Sequence, residues 1–197
     1  IGYQAAFNSQ GVQAVAIGYN AGRASQGSNS VAIGSSAGAV NQLSNSVAIG
    51  KNAGEVLQKN DCVAIGTSAG QNSQGEFSVA IGSNAGNNTQ GSYCIAIGSD
   101  AGLIGQVFSA IAIGRSAGTV NQQYGSVAIG YQAGQTNQSS QSICLNASST
   151  ALAATNQGFY ANPIRTGTST TAGALVYDTT TKEIIFNNTT KTFVIEH

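Results

Sequence analysis

The sequence predicts an all-β protein: a parallel β-solenoid of 16-residue coils over residues 1–148, then a small β-meander cap over 149–197. Three observations predict it. Ile-Gly recurs with its Gly at 2, 18, 34, 50, 66, 82, 98, 114 and 130, and every interval is 16 residues. Each recurrence closes a β-branched run such as Val31-Ala32-Ile33-Gly34, which favours a strand. The apolar residues follow no 3.6-residue period, and two Gly per coil oppose a helix.

The elements follow in order along a coil. Alternation places Val31 and Ile33 on one face of the strand and Ala32 on the other. The first apolar column runs Val15, Val31, Val47 and onward to Ile143; the second is Ile from Ile1 to Ile129 and closes with Leu145. By hydrophobicity these two columns are the expected inner core. The Gly of Ile-Gly is replaced once, by Asn146, so a positive φ is expected there. The second Gly column, Gly22 to Gly134, begins as Ala6, so crowding rather than positive φ is expected. Gln occupies 10, 26, 42, 58, 74, 90, 106, 122 and 138 without exception. A stripe facing a ligand need not repeat so strictly. An internal amide ladder requires identical neighbours, and that is the favoured reading.

One coil cannot fold alone, because one buried Val and one buried Ile return far less than the backbone entropy of 16 ordered residues. Neighbouring coils must supply the rest. Ala16, Ala32, Ala48, Ala64, Ala80, Ala96, Ala112 and Ala128 form the column opposite the expected core. An Ala column permits close approach of another backbone, so oligomerisation through that face is expected. Ten coils at about 4.8 Å per strand spacing make a rod about 48 Å long.

The repeated phrase Asn29-Ser30-Val31-Ala32-Ile33-Gly34, again Asn45-Ser46-Val47-Ala48-Ile49-Gly50, each followed by Ala-Gly, resembles the head repeats of trimeric autotransporter adhesins of the YadA type. The resemblance covers residues 1–148. It implies a left-handed parallel β-roll, a homotrimer and attachment to host surfaces. The period departs from that family, whose repeat is usually shorter. A second resemblance lies in the tail. Gly158-Phe159-Tyr160-Ala161-Asn162-Pro163-Ile164-Arg165 and Ala174-Leu175-Val176-Tyr177-Asp178-Thr179-Thr180-Thr181-Lys182-Glu183-Ile184 are similar to C-terminal segments of the fibre-like attachment proteins of chloroviruses, large DNA viruses of algae. That similarity implies a virion-surface location and an algal cell-wall polysaccharide or glycan as ligand.

Read without the resemblance, Ala174 to Tyr177, Glu183 to Phe186 and Thr192 to Ile195 are three short strands of a meander. The chain begins at Ile1 and contains no Met, so it reads as a piece of something longer.

Composition excludes several functions. Lys+Arg are 7 and Asp+Glu 7, and Arg23, Lys51, Lys59, Arg115 and Arg165 are too scattered to track phosphates, so no nucleic-acid partner is expected. No apolar run approaches the ~20 residues of a membrane span, so no membrane partner is expected. No enzyme activity is expected either. Asp61, Asp100 and Asp178 are far apart, Glu55 and Glu76 sit in different coils, and the single His is His197. Neither cofactor nor metal is expected, since Cys62, Cys94 and Cys144 lack metal-site spacing and the Gly-Gly/Asp calcium repeat is missing. Cys62 and Cys94 read as small buried residues; Cys144, in the Ala column, could meet its copies on a trimer axis.

The variable column after Ile-Gly supplies the candidate ligand-binding residues: Tyr3, Tyr19, Lys51, Arg115 and Tyr131. Variation implies exposure, and Tyr and Arg suit sugar stacking and hydrogen bonding. The expected function is a trimeric attachment module on a virion or extracellular cell surface. The alternatives are a passive stalk and an ice-binding solenoid. The latter needs a regular Thr or Ser face, which Lys51, Arg115 and Tyr131 interrupt.

Overall fold

The computed structural model describes residues 1–164 and 174–187, and it is all-β. Residues 1–163 form one compact unit and the rest another. The first unit is a parallel β-solenoid with two strands in most coils. A ten-stranded sheet stacks the Val-Ala-Ile strands from Val15–Ile17 onward, and a seven-stranded sheet stacks the strands that end in Gln, from Asn8–Gln10 to Ile104–Gln106. Every strand pairing in these two sheets joins residues 16 apart, as in Val31↔Val47, Ala32↔Ala48 and Ile33↔Ile49. The register therefore stacks like on like. The ten-stranded sheet continues to Gly158–Asn162, where Ile143↔Phe159 and Leu145↔Ala161 keep the step of 16. The solenoid thus runs past residue 148, where the period was expected to end.

The expected sidedness is reversed. The Ala column is the interior: Ala32, Ala48, Ala64, Ala80, Ala96, Ala112 and Ala128 are all 0 % exposed. A second Ala column, Ala21 to Ala133, packs with it in the same core. No member of the Val column or the Ile column is buried. The reason is volume. The coil is flat, and a Cβ added to Gly38 would lie 3.3 Å from the Ala32 Cβ and 2.6 Å from the Gln42 Oε1. An interior that narrow accepts methyl groups and excludes Val and Ile. Cys144, in the Ala column, also points inward: its Sγ accepts from the Gly134 N–H at 3.2 Å and donates to the Leu152 carbonyl at 3.3 Å. It cannot meet its copies on an external axis.

With so little apolar volume inside, hydrogen bonds carry the cross-section. Gln42 Nε2 donates across the interior to the Val31 carbonyl at 3.0 Å, tying the seven-stranded sheet to the ten-stranded one. The same strut recurs from Gln26 to Gln138, at 2.7–3.0 Å. Each amide also reaches along the rod. Gln26 donates to Gln42 Oε1 at 3.2 Å, Gln42 to Gln58 at 3.0 Å and Gln58 to Gln74 at 3.0 Å. Rungs also join Gln90 to Gln106 and Gln106 to Gln122. They are missing before Gln26, Gln90 and Gln138, whose Oε1 atoms are unpaired. The Gln column is therefore the internal ladder that its invariance predicts.

Ser30 and Ser46 line the remaining corner, each hydroxyl donating to a carbonyl of the next coil, Leu43 at 2.7 Å and Lys59 at 2.6 Å. Cys62 and Cys94 occupy this column and make the same contact, to Gly75 at 2.8 Å and Val107 at 3.0 Å. They are buried replacements for Ser, as expected. Both glycine columns have positive φ. Gly34 has φ 126°, and a Cβ there would lie 2.6 Å from the Gly50 carbonyl oxygen. Gly38 has φ 51°, and Ala6, which begins its column, shares that φ. The second column is thus both crowded and left-handed, where only crowding was expected.

In the second unit Ala174–Tyr177 pairs antiparallel with Ile184–Asn187. Asp178 caps the intervening turn by accepting from Thr180 N–H at 2.7 Å and Thr181 N–H at 3.0 Å, and these bonds hold its carboxyl below the usual carboxylate range. The expected strand Thr192 to Ile195 lies outside the described residues.

Candidate functional site

Turning the Val-Ala-Ile strand with Ala inward sets its two larger side chains outward. Because the register never slips, they form two unbroken apolar columns along the rod. Their tips are exposed in part along the rod: Ile17 41 %, Ile65, Ile81 and Ile97 36 %, Ile129 40 % and Leu145 36 %, with Ile33, Ile49 and Ile113 less so. Neighbours above and below cover the flanks of each side chain, and the tips face outward. Stacked β-branched tips on a parallel sheet make a flat apolar strip, far longer than the scattered apolar residues of an ordinary surface. At its C-terminal end the strip borders an apolar cleft of about 380 Å³ lined by Ile129, Leu145, Ala147, Ala161 and Pro163 with Asn146. The Asn146 amide is already committed, donating to the carbonyls of Tyr131 at 2.6 Å and Thr150 at 2.7 Å.

The five candidate ligand-binding residues lie along one edge of this strip, immediately after the Ile-Gly step. They do not converge on one site. Tyr3 and Tyr19 stack with ring centroids 5.5 Å apart and planes 11° from parallel. Arg115 places its guanidinium 4.6 Å from the centre of the Tyr131 ring, a cation–π contact. Lys51 stands alone and exposed, two coils (about 10 Å) from Tyr19 and four from Arg115.

The opposite edge carries an aromatic ladder that the column analysis missed. Phe77 and Tyr93 stack at 5.1 Å, Tyr93 meets Phe108 edge-on at 5.1 Å and 63°, and Phe108 stacks on Tyr124 at 6.0 Å. All four rings are about half exposed. The signal was hidden because Phe77 and Tyr93 share one position of the 16-residue period while Phe108 and Tyr124 occupy the preceding one. Stacking along the rod turns these ring faces toward each other. What reaches outward is ring edges, with the tilted Tyr93–Phe108 step the one break in the pile. A sugar packs on a ring face, so this ladder is better suited to stiffening the edge than to holding a polysaccharide.

Three acidic residues of the solenoid are each engaged by an amide one coil away. Gln71 donates to Glu55 at 2.6 Å, Asn45 to Asp61 at 3.1 Å and Asn84 to Asp100 at 3.1 Å. These are lateral links between coils. Among the described residues no three His, Cys, Asp or Glu side chains gather to hold a metal ion, and no helix is long and apolar enough to cross a membrane. The Cys62 and Cys94 thiols are free and buried, and burial pushes both up to about 11 from an ordinary 9. Comparison with protein-family models, with curated proteins and with solved structures finds no match to this chain.

Proposed function

We propose that this chain is the rod segment of a homotrimeric fibre, exposed on a virion or on a cell surface, that attaches to a host-surface polysaccharide or glycan. The observation that carries the trimer is the uncovered Val/Ile strip. The strip is about 20 Å wide including its two edge columns and about 45 Å long, or roughly 900 Å². Stable interfaces bury about 800 Å² per partner. Covering the residual exposure of each Val and Ile contributes about 1 kcal/mol at 25 cal/mol per Å². Three flat faces 20 Å wide, closed into a triangular prism, set each backbone about 6 Å from the axis, close to half the ~10 Å spacing of packed sheets. Val and Ile fill that distance. The partner-facing role expected of the Ala column thus passes to the Val/Ile strip.

Attachment rests on the resemblance to adhesin heads and on Tyr3 and Tyr19, exposed at the N-terminal end of the edge column. A passive spacer is the second reading, and the mutual stacking of the rings favours it, since that geometry occupies the faces a sugar would use. Two measurements test the proposal. Multi-angle light scattering at micromolar concentration is expected to give three chains per particle, and a monomer sinks the assembly. The trimer is then mixed with host cell-wall fractions. Retention that a soluble carbohydrate competes away supports attachment, and no retention at micromolar concentration leaves the spacer.

A further inference from the structure

The apolar strip is uniform, so by itself it would let rods slide against each other or pack head to tail. Its two edges are not uniform. One edge is the column after Ile-Gly, with Lys51, Arg115 and Tyr131. The other is the column two residues before Val, with Asn45 and Asp61, bordered by Phe108 and Tyr124. In a closed three-fold ring every contact is heterologous, so one edge of each chain meets the other edge of its neighbour. With the axis along the rod, equal coils lie at equal heights.

That rule pairs specific residues. Lys51 follows Val47 and Ile49, and Asn45 precedes them, so Lys51 meets the Asn45 height of the adjacent chain. Asp61 is one coil further, about 4.8 Å along the rod, within reach of a lysine side chain and tethered to Asn45 by the 3.1 Å bond. Arg115 follows Ile111 and Ile113, the coil that Phe108 precedes; Tyr131 is level with Tyr124 in the next coil. Lys51 thus falls one coil from a carboxylate of the second edge, and Arg115 falls level with its aromatic pair. Where the second edge is bulky, at Phe77 and Tyr93, the first is small, at Ser83 and Ser99. Lys59 lies two residues before Asp61, so the acidic point is local.

We propose that these edges form a register-setting seam between copies of this chain, in which Lys51 pairs with Asp61 of the partner subunit. The seam rests on the trimer reading and adds which residues fix its register. An antiparallel pairing would invert the heights and bring Lys51 opposite the C-terminal half of its neighbour, away from Asp61.

Within one chain Lys51 and Asp61 sit on opposite edges, about 20 Å apart, so a zero-length carbodiimide bond between them forms only between chains. Mass spectrometry of the cross-linked protein is expected to find Lys51 joined to Asp61. Exposed ion pairs change affinity by about two- to fivefold each, so three equivalent seams predict about a tenfold or greater rise in the trimer dissociation constant for Lys51→Glu. Lys51→Glu combined with Asp61→Lys is expected to return it to within a few-fold of the original. Both sites are exposed, so neither change threatens the fold. A trimer by light scattering whose Lys51→Glu variant is unchanged, or whose double variant is no better than the single one, overturns the seam while the trimer stands. A monomer overturns both.

Discussion

The Ala and Val/Ile columns run side by side through the same strands, adjacent in sequence, and obey different rules. Inside, Ala is held at 0 % exposure from Ala32 to Ala128, and the column changes only at its C-terminal end, to Cys144 and then Tyr160. Outside, Val and Ile exchange in the first column, where a tip that faces outward has room to differ by a methylene, while the second column stays Ile as far as Ile129. The larger apolar residues are on the outer face because the cavity between the sheets is too thin for them, and a row of amide struts holds it at that width. An interior this poor in apolar volume makes the fold rely on hydrogen bonding, and it leaves the stronger hydrophobic driving force on the outer surface.

Substitutions can break that contrast. The largest effect is expected from Gln58→Leu, which strips the Val47 carbonyl and the Gln74 Oε1 of their donors in a dry interior; about 3 kcal/mol or more of stability is lost, read by denaturant unfolding. Ala64→Val adds two methyl groups where a Cβ on Gly70 would already lie 3.4 Å from the Ala64 Cβ, and about 1–3 kcal/mol is lost. Ile81→Ser, one position beyond a buried Ala, is expected to cost less than about 1 kcal/mol in an isolated chain but to weaken association measurably in sedimentation experiments. Equal losses for Ala64→Val and Ile81→Ser at a dilution where chains are separate would remove the distinction drawn here.

The thiols give the smallest effect and the cleanest sign. Burial keeps Cys62 and Cys94 neutral, so their folded pKa of about 11 lies above the unfolded 9. The stability this contributes is fully present below pH 9 and is lost as pH rises toward 11. The double change Cys62→Ser and Cys94→Ser is expected to flatten that alkaline slope while shifting neutral stability by less than about 1 kcal/mol, since Ser46 makes the same bond to a carbonyl. Two pKa units leave about a hundredfold less thiolate at neutral pH and burial blocks the reagent besides, so labelling of native protein by a disulfide reagent should be slower by at least about that factor than labelling of unfolded chain.

The period, the Val-Ala-Ile strands, the buried Gln ladder and the Ser-like role of Cys62 and Cys94 were legible in the sequence, because each is a property of one repeating position; the second strand of each coil, the one ending in Gln, was not. Sidedness was not. Alternation tells which residues share a face and leaves open which face is inside, and hydrophobicity alone favoured Val and Ile for the core. The better signal was steric. A column that stays Ala across eight coils, beside a second Ala column and an unvarying Gln, marks a space that admits only one size of side chain. The edge residues Tyr3, Tyr19, Lys51, Arg115 and Tyr131 were found because they vary. The ring ladder escaped because its members change position in the period at Phe108. Their pairing into Tyr3–Tyr19 and Arg115–Tyr131 depends on the stacking of consecutive coils and emerges only in three dimensions.

The rungs of the Gln column all point the same way: wherever a rung forms, the amide hands its N–H to the coil that follows. Every interface between neighbouring coils therefore presents nearly the same pair of surfaces, a donor on one side and an acceptor on the other. A unit of 16 residues removed or duplicated at any such joint would leave matching ends, and the length of the object would change by one strand spacing. The molecule is in this sense a ruler with a fixed graduation of about 4.8 Å, whose reach from its base is set by counting copies and whose cross-section does not depend on the count.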